Sequence, residues 1–241
     1  MDEVEGSWRS EDEKKLVGLL RLSVERDDFT SKESDISTLR RFLRARDLNV
    51  EKALEMYQKY TKWRTAEVPN GFISSSEIPN ELAQKKLFSQ GFDKKGHPIG
   101  VILGGRHLYS KRDINEFRRL CVFGLDKLAS RMPDGREKFT IIADIEGWRY
   151  SNCDIRAYRA SLEIMQNYYP ERLYKVFLVN VPFLFTKAWK AIYPFIDKNT
   201  KKKFIFVDDK KMKETMLRDI EENQLPNIYG GKHPLVPVED T

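Results

Sequence analysis

Two carboxylates near the middle of the chain are the side chains best placed for acid and base chemistry. Asp144 and Glu146 stand at the end of a predicted strand, KFTIIADI, with Ile145 between them. Because side chains alternate along a strand, both carboxylates are expected on one face, where they could act as an acid and a base. The alternative is that the pair caps the turn that comes before Gly147.

Other motifs for catalysis or nucleotide binding are not supported. Gly91 and Gly96 have the spacing of a phosphate-binding loop, but His97 and Pro98 stand where that loop needs Lys followed by Ser or Thr. The chain has neither a GxGxxG nor a GxSxG motif, and its three histidines are too scattered to indicate a ligand set. Each histidine is expected at the surface or in a turn. The sequence therefore predicts no enzyme, no metal site and no cofactor.

One stretch, residues 161–207, combines a buried strand, a nearly apolar helix and a lysine cluster. The apolar residues of this helix recur at i, i+3, i+4 and i+7 and are Phe185, Ala188, Trp189, Ile192, Phe195 and Ile196. Such a helix belongs to an ordinary core, covers an apolar cavity or lies against a bilayer. The lysines at 201–203 follow it, and cations beside apolar surface suit an anionic head group joined to acyl chains. A solvated lysine turn is the alternative.

Composition and charge indicate a soluble globular protein that favours anionic surfaces. The chain has 241 residues, of which 40% are hydrophobic and 33% charged, and its net charge of +6 leaves nucleic acid and acidic membranes open as partners. Its two cysteines, Cys121 and Cys153, argue against a disulfide framework or a structural zinc site. The acidic N-terminus does not fit a signal peptide, and no apolar run reaches the roughly 18 residues that span a bilayer. We expect a cytoplasmic protein with peripheral membrane contact.

The predicted elements that would position these side chains change in type along the chain. Helical patterns come first, and from His97 strands alternate with helices, including one expected from Ser110 to Met132 and a last one from Lys210 to Glu222. Strands separated in this way predict βαβ units and a mostly parallel sheet. Pro, Gly and Ser residues between 69 and 79 mark the boundary. The predicted units are an N-terminal helical unit, 1–75, and an α/β domain, 76–241.

Six segments, in a fixed order along the chain, resemble the motifs of a known family. They are LRRFLRARDLNVEKALEMYQKYTKWR, FDKKGHPIGV, IIADIEGW, QNYYPERLYKVFLVNVPFLF, PFIDKNTKKKFIFV and LPNIYGG. Together they closely resemble the CRAL-TRIO lipid-binding domain with its N-terminal helical extension, in the branch of Sec-fourteen-like phosphatidylinositol transfer proteins. The resemblance implies a helical bundle packed on a mostly parallel sheet with flanking helices, an internal hydrophobic lipid cavity and a mobile gate helix. The gate and acyl cavity would include Phe183, Phe185, Trp189, Ile192 and Phe195.

The resemblance also implies a pocket for the head group of phosphatidylinositol. By position in the motifs, its residues would be Arg46 in FLRAR, Glu171 in YYPER, and Thr200 and Lys203 in KNTKKK. Lys203 and Thr200 would contact the phosphate or the inositol hydroxyls, and Arg46 and Glu171 would form a linked polar pair. The residue types suit this task, since cations neutralise phosphate while carboxylate and hydroxyl groups bond inositol hydroxyls.

At other positions the chain departs from relatives that also exchange phosphatidylcholine. Those relatives place hydroxyl side chains where this chain has Phe139, Ile141 and Gly100, with Ser89 as a less secure match. Without hydroxyls to bond a choline phosphate, phosphatidylcholine is expected to bind poorly. A second, more hydrophobic ligand is left open.

The sequence thus predicts a monomeric phosphatidylinositol transfer protein that exchanges single lipids at membrane surfaces without covalent catalysis. The alternative is an adaptor that presents phosphatidylinositol to a lipid kinase or recruits a protein partner in trafficking. Nucleic acid is not expected as a partner, because the basic helix RRFLRAR comes without a recognition motif.

Overall fold

Three helices form an N-terminal bundle with a core of its own. In the computed structural model, which describes residues 6–27, 35–109 and 113–241, they are α1 (Glu11–Asp27), α2 (Ile36–Arg44) and α3 (Val50–Glu67). Their shared core is made by Val17, Leu20, Val24, Leu39, Phe42, Leu43, Ala53, Met56 and Tyr57. The Asn49 side chain caps α3 by accepting a hydrogen bond from the Lys52 amide at 2.9 Å, as its position before an apolar pattern predicts.

Six strands form one sheet whose central part is parallel. The strands are β1 (Leu87–Phe92), β2 (Pro98–Leu103), β3 (Phe139–Asp144), β4 (Leu173–Val179), β5 (Phe204–Phe206) and β6 (Val236–Pro237). Their order across the sheet is β5-β4-β3-β2-β1-β6. Strands β2 to β5 pair in parallel, and β1 pairs antiparallel with both β2 and β6. The predicted mixed α/β fold with a mostly parallel sheet is confirmed.

The remaining helices connect and flank the strands. They are α4 (Pro79–Leu82), α5 (Ile114–Ser130), α6 (Ile155–Tyr168), α7 (Phe185–Ile192), α8 (Lys198–Lys201) and α9 (Met212–Leu217). Asp113 caps α5, whereas Ser110, where this helix was predicted to begin, lies outside the described residues. The last helix is shorter than predicted, because the residues that follow Leu217 form turns. Within the described parts of the chain, we find no helix that combines the length and apolar character needed to span a bilayer.

Each face of the sheet buries a different set of side chains. Because side chains alternate along a strand, Phe139, Ile141 and Val176 point towards α5 and α6. Ile142 and Phe177 point towards the opposite face, which is covered by α9 and the segment after it. Strands buried on both faces read as continuous apolar runs, which explains why β3 and β4 could be recognised in the sequence. The face beneath α5 and α6 carries the candidate site.

Candidate functional site

The carboxylates at the end of β3 have a structural role. Asp144 is buried and accepts hydrogen bonds from the Tyr229 hydroxyl at 2.8 Å, the Asn180 amide group at 2.9 Å and the backbone amide of Glu146 at 2.8 Å. Burial and the charge of Asp144 raise the pKa of Tyr229. Glu146 is exposed. Of the two alternatives from the sequence, the structure supports the turn cap, since Asp144 is engaged by three donors.

Two of the three histidines, His97 and His107, are buried and not at the surface, and each directly follows a turn, which was the other expected position. The Nδ1 atom of His97 lies 2.8 Å from the Asp93 carboxylate, and the Nδ1 atom of His107 lies 2.8 Å from the ammonium group of Lys86. These charged partners make burial possible, and a sequence pattern cannot show them. Among the described residues, no group of three or more His, Cys, Asp and Glu side chains is arranged to hold a metal ion.

A cavity of about 750 Å³ lies between the sheet, α5, α6 and α7. Its floor is made by side chains from one face of β3 and β4, namely Phe139, Ile141, Ala143, Leu173, Val176 and Leu178. Its walls include Leu120, Leu125 and Leu128 of α5 and Leu162 and Met165 of α6. This volume falls in the range of about 300–1,000 Å³ that is typical of single-ligand sites. The size and apolar lining of the cavity therefore suit an apolar ligand.

Phe139, Ile141 and Gly100, the positions that the sequence analysis associates with poor phosphatidylcholine binding, carry no hydroxyl group. Phe139 and Ile141 both line the cavity. A Cβ atom on Gly100 would lie 3.0 Å from methyl groups of Ile141 and Leu128, so the backbone here leaves little room for a side chain. Ser89 is buried and accepts a hydrogen bond from Arg131, and it lies outside the cavity lining.

All four predicted head-group residues line the cavity, and Glu171, Thr200 and Lys203 lie together at a polar end that also contains Asp197. Arg46 follows α2, Glu171 precedes β4, Thr200 belongs to α8 and Lys203 precedes β5, and each lines the cavity. Because β4 and β5 are parallel neighbours, the residues before them lie at the same edge of the sheet. Fold topology thus places Glu171 and Lys203 at the same edge, although α7 and α8 lie between them along the chain.

Electrostatic contacts connect part of this polar end. Burial lowers the pKa of Lys203, while the charges of Glu171 and Asp197 act in the opposite direction. The Arg46 side chain donates a hydrogen bond to the carbonyl oxygen of Ala45 at 2.8 Å. Neither a hydrogen bond nor an ion pair joins the side chains of Arg46 and Glu171, so these two described residues do not form the linked polar pair that the resemblance implies. No described residue donates a hydrogen bond to the Glu171 carboxylate. Its oxygens are therefore available for ligand hydroxyls.

Asp197 also lines this polar end and was missed by the sequence analysis. Its carboxylate caps α8 by accepting hydrogen bonds from the amides of Asn199 and Thr200, both at 2.9 Å. Burial alone would raise the pKa of Asp197, but a hydrogen bond from the Thr200 side chain, together with those from the two amides and the charge of Lys203, outweighs burial and lowers that pKa. An Asp immediately before KNTK is an N-cap signal that could have indicated this role.

The backbone at Glu171 has a conformation that is rare for this residue type. Its φ of 59° lies in the left-handed region. It is the third residue of a turn that starts at Tyr169, has Pro170 second and closes with the Arg172 amide 3.4 Å from the Tyr169 carbonyl oxygen. Glycine is usual at this third position, and an L-residue there costs about 1–2 kcal/mol. The strain coincides with a residue whose side chain lines the cavity.

The predicted gate, residues 182–195, is helical for only part of its length. Helix α7 ends at Ile192, and residues 193–195 form a 3₁₀ turn because Pro194 has no amide hydrogen to continue the α-helical pattern. Phe185, Trp189 and Ile192 face the cavity. Trp148 packs edge-on against Phe185 with ring centroids 5.3 Å apart.

Two predicted gate residues lie outside the cavity lining. Phe183 is 85% exposed and Phe195 is 46% exposed. Phe183 precedes α7, and Phe195 belongs to the 3₁₀ turn, so neither continues the inward stripe of the helix. The end of the gate is tied to α6, since Gln166 donates to the Phe195 carbonyl oxygen at 3.3 Å and Arg159 lies 4.6 Å from the Phe195 ring.

Comparisons of the sequence with family models and with known proteins agree on one family. The CRAL/TRIO domain model matches residues 82–231, and the CRAL/TRIO N-terminal domain model matches residues 2–59. The chain is 31% identical to Patellin-4 of Arabidopsis thaliana over 87% of its own length and 39% of that protein. It is 31% identical to the SEC14 cytosolic factor of Candida glabrata over 88% of its own length and 76% of that protein. It thus spans well under half of the first relative and about three quarters of the second.

A solved structure shows the same fold. The crystal structure of Sfh5 superposes with a TM-score of 0.68 at 19% identity, covering 86% of this chain and 84% of Sfh5. The Sec14 cytosolic factor of Schizosaccharomyces pombe is 30% identical over 88% of this chain and 79% of its own length. With the family models matched across both the bundle and the sheet, the chain belongs to the Sec14-like branch of the CRAL/TRIO family of lipid-binding proteins.

Proposed function

We propose that this protein binds a single phosphatidylinositol molecule and transfers it between membranes without covalent chemistry. The observation that carries the proposal is one cavity with an apolar body and a polar end where Glu171, Thr200 and Lys203 lie, while Arg46 also lines this cavity. Cationic side chains there suit the phosphodiester, and the Glu171 carboxylate and Thr200 hydroxyl suit inositol hydroxyls. The apolar body suits acyl chains.

The apolar enclosure is what makes transport through water possible. Two acyl chains contain about thirty methylenes, and at about 0.8 kcal/mol each their exposure to water would cost more than about 20 kcal/mol. A carrier must therefore cover both chains between membranes. The floor, the α5 and α6 walls and α7 supply that cover.

We infer that exchange occurs while the protein is docked, as a monomer, on a cytosolic membrane surface. The net charge of +6 favours an anionic leaflet, and each Lys or Arg near the surface contributes about 1 kcal/mol there. The exposed Phe183 ring gives the gate an apolar contact with the bilayer. Movement of α7 away from the cavity releases one lipid and admits another. Presentation of phosphatidylinositol to a lipid kinase would use the same cavity, and transfer in the absence of any kinase separates the two uses.

Lipid identity is the direct test of this proposal. Mass spectrometry of lipids that copurify with the protein is expected to show phosphatidylinositol in clear excess over phosphatidylcholine, because the cavity floor lacks partners for a choline phosphate. Transfer between vesicles is expected to follow the same preference. Abundant bound phosphatidylcholine without phosphatidylinositol would contradict the proposal.

Replacing Glu171 by glycine should separate stability from ligand binding. Glu171→Gly relieves left-handed strain of about 1–2 kcal/mol in the folded state. The greater conformational entropy of glycine stabilises the unfolded state by about 0.5–1 kcal/mol and offsets part of this gain. The free energy of unfolding, measured in urea, is therefore expected to rise by about 0.5–1 kcal/mol. Phosphatidylinositol transfer is expected to fall, because the carboxylate is lost.

Lys85→Gly is the matched control for this change. Lys85 is exposed, has a φ of 46° and does not line the cavity. It should gain similar stability and keep wild-type transfer. Unchanged transfer by Glu171→Gly would remove Glu171 from the head-group site.

A further inference from the structure

The segment that carries Glu171, residues 168–172, is held on several sides by contacts that lead to the N-terminal bundle. The Tyr168 ring stacks on Trp63 of α3, with centroids 3.9 Å apart and planes 4° from parallel. The Tyr169 hydroxyl accepts a hydrogen bond from Arg64 of α3 at 3.1 Å and donates to Asp126 of α5 at 2.6 Å. Two consecutive tyrosines are therefore fixed by two consecutive residues of one bundle helix.

The next contacts come from helix α2. Arg41 donates to the carbonyl oxygen of Pro170 at 3.4 Å. Arg172 donates to the carbonyl oxygen of Glu137 at 3.1 Å, and the Glu137 carboxylate pairs with Arg40 at 2.7 Å. Four of the five residues in this segment are thus connected to the bundle. The fifth, Glu171, directs its side chain into the lining of the cavity.

We propose that helices α2 and α3 position the Glu171 carboxylate, through a bundle clamp formed by Arg41, Trp63 and Arg64. The role rests on the proposed function of Glu171 at the head group. It gives the bundle a second role at the lipid site, in addition to the residues around Arg46 that line the cavity, and the clamp residues themselves lie outside the cavity lining. Head-group affinity then depends on how the bundle is seated on the α/β domain.

Backbone strain is the physical reason for a clamp. A left-handed non-glycine residue persists only where its surroundings fix it, and the Glu171 side chain has no hydrogen bond with any described residue to do so locally. The neighbours of Glu171 must therefore supply the restraint. Trp63 and Arg64 supply it before the turn, and Arg41 supplies it at Pro170.

The burial of Arg41 supports a positioning role over simple packing. Its side chain is 4% exposed, its Nε atom has no partner, and burial together with the charge of Arg172 lowers its pKa to about 9. An apolar residue would fill the same space without this penalty. The guanidinium group contributes what an apolar side chain cannot, a hydrogen bond to the turn that presents Glu171.

A double-mutant cycle with Glu171→Gln tests the clamp. The probe is uptake of pyrene-labelled phosphatidylinositol from phosphatidylcholine vesicles. Arg64→Met is expected to weaken uptake about five-fold in the wild-type background and less than about two-fold in the Glu171→Gln background. Arg64→Lys is expected to recover part of the loss. Arg21→Met, which removes a surface ion pair of α1 with Glu25, is the control and should leave uptake unchanged.

Hydrogen exchange of the Arg172 amide gives a readout that needs no lipid. In Arg64→Met this amide is expected to exchange about tenfold faster, because the turn opens more often. Trp63→Phe, which keeps an aromatic ring, should give a smaller increase in the same direction if Arg64→Met folds poorly. Equal uptake losses in both backgrounds, or unchanged exchange, would overturn the clamp. If Glu171→Gln alone leaves uptake unchanged, the head-group assignment has failed and the positioning role fails with it.

Discussion

Lys203→Met is expected to lower the affinity for phosphatidylinositol about 10–100-fold. A charge-assisted hydrogen bond contributes about 1.5–3 kcal/mol, and Lys203 is a cation that lines the polar end of the cavity. The burial that lowers the pKa of Lys203 indicates that its charge destabilises the empty protein. The free energy of unfolding should therefore stay unchanged or rise slightly. Equilibrium uptake from vesicles measures the first quantity, and urea denaturation measures the second.

The neighbouring Lys202 offers a matched control. Lys202 is exposed and does not line the cavity. Lys202→Met removes the same charge from the same loop, so it should weaken vesicle docking slightly and leave the affinity for phosphatidylinositol within about two-fold. Equal effects of the two substitutions would mean that the lysines act only through the membrane surface, and Lys203 would then lose its place in the head-group site.

Phe183→Asp is expected to reduce vesicle binding and transfer about 10–100-fold without loss of fold stability. Burying a Phe side chain contributes about 1.5–3 kcal/mol, and the Phe183 ring is exposed at the start of the gate, where a bilayer can cover it. Aspartate removes this contribution and adds repulsion from anionic lipid. Cosedimentation with vesicles measures binding, and lipid loading in detergent checks that the cavity is intact.

Phe72→Asp is the control for this prediction. Phe72 is 62% exposed in the segment between α3 and α4, far along the chain from the gate. Its replacement makes the same chemical change at another exposed ring and should leave vesicle binding unchanged. If Phe72→Asp is as defective as Phe183→Asp, the membrane contact is spread over the surface, and the gate is not its centre.

The central strands and the bundle could be predicted because their signals are local. Strands β3 and β4 are short apolar runs, and Asn49 stands in the cap position before a helical pattern. Strand β1 was missed, since LFSQGF mixes polar residues and glycine and its polar side chains are buried by partners elsewhere in the chain. Strand β6 is only two residues long, too short to carry any pattern.

The candidate site was harder to predict from residue patterns. Without the family resemblance, residue type and spacing alone predict that Glu171 and Lys203 are exposed surface charges. The parallel pairing of β4 and β5 brings them to the same edge of the sheet. The buried environments of His97 and His107 depend on acidic and basic partners that sequence spacing does not reveal. Helical periodicity predicts the inward positions of Phe185, Trp189 and Ile192, but it does not show that α7 begins after Phe183 and gives way to a 3₁₀ turn before Phe195.

The hydrogen bond between Tyr229 and Asp144 has a consequence for the order of events during synthesis. The two residues are 85 positions apart, and Asp144 also holds Asn180, which lies just before the gate. A nascent chain that has emerged only as far as Lys203 already contains the cavity floor and the gate, but Asp144 still lacks its phenolic partner. Because chains emerge from the N-terminus, the buried Asp144 carboxylate gains the phenolic donor only after translation has passed Tyr229. The core on the face of the sheet opposite the cavity, which includes Tyr229, is therefore completed after the residues of the cavity floor have been made.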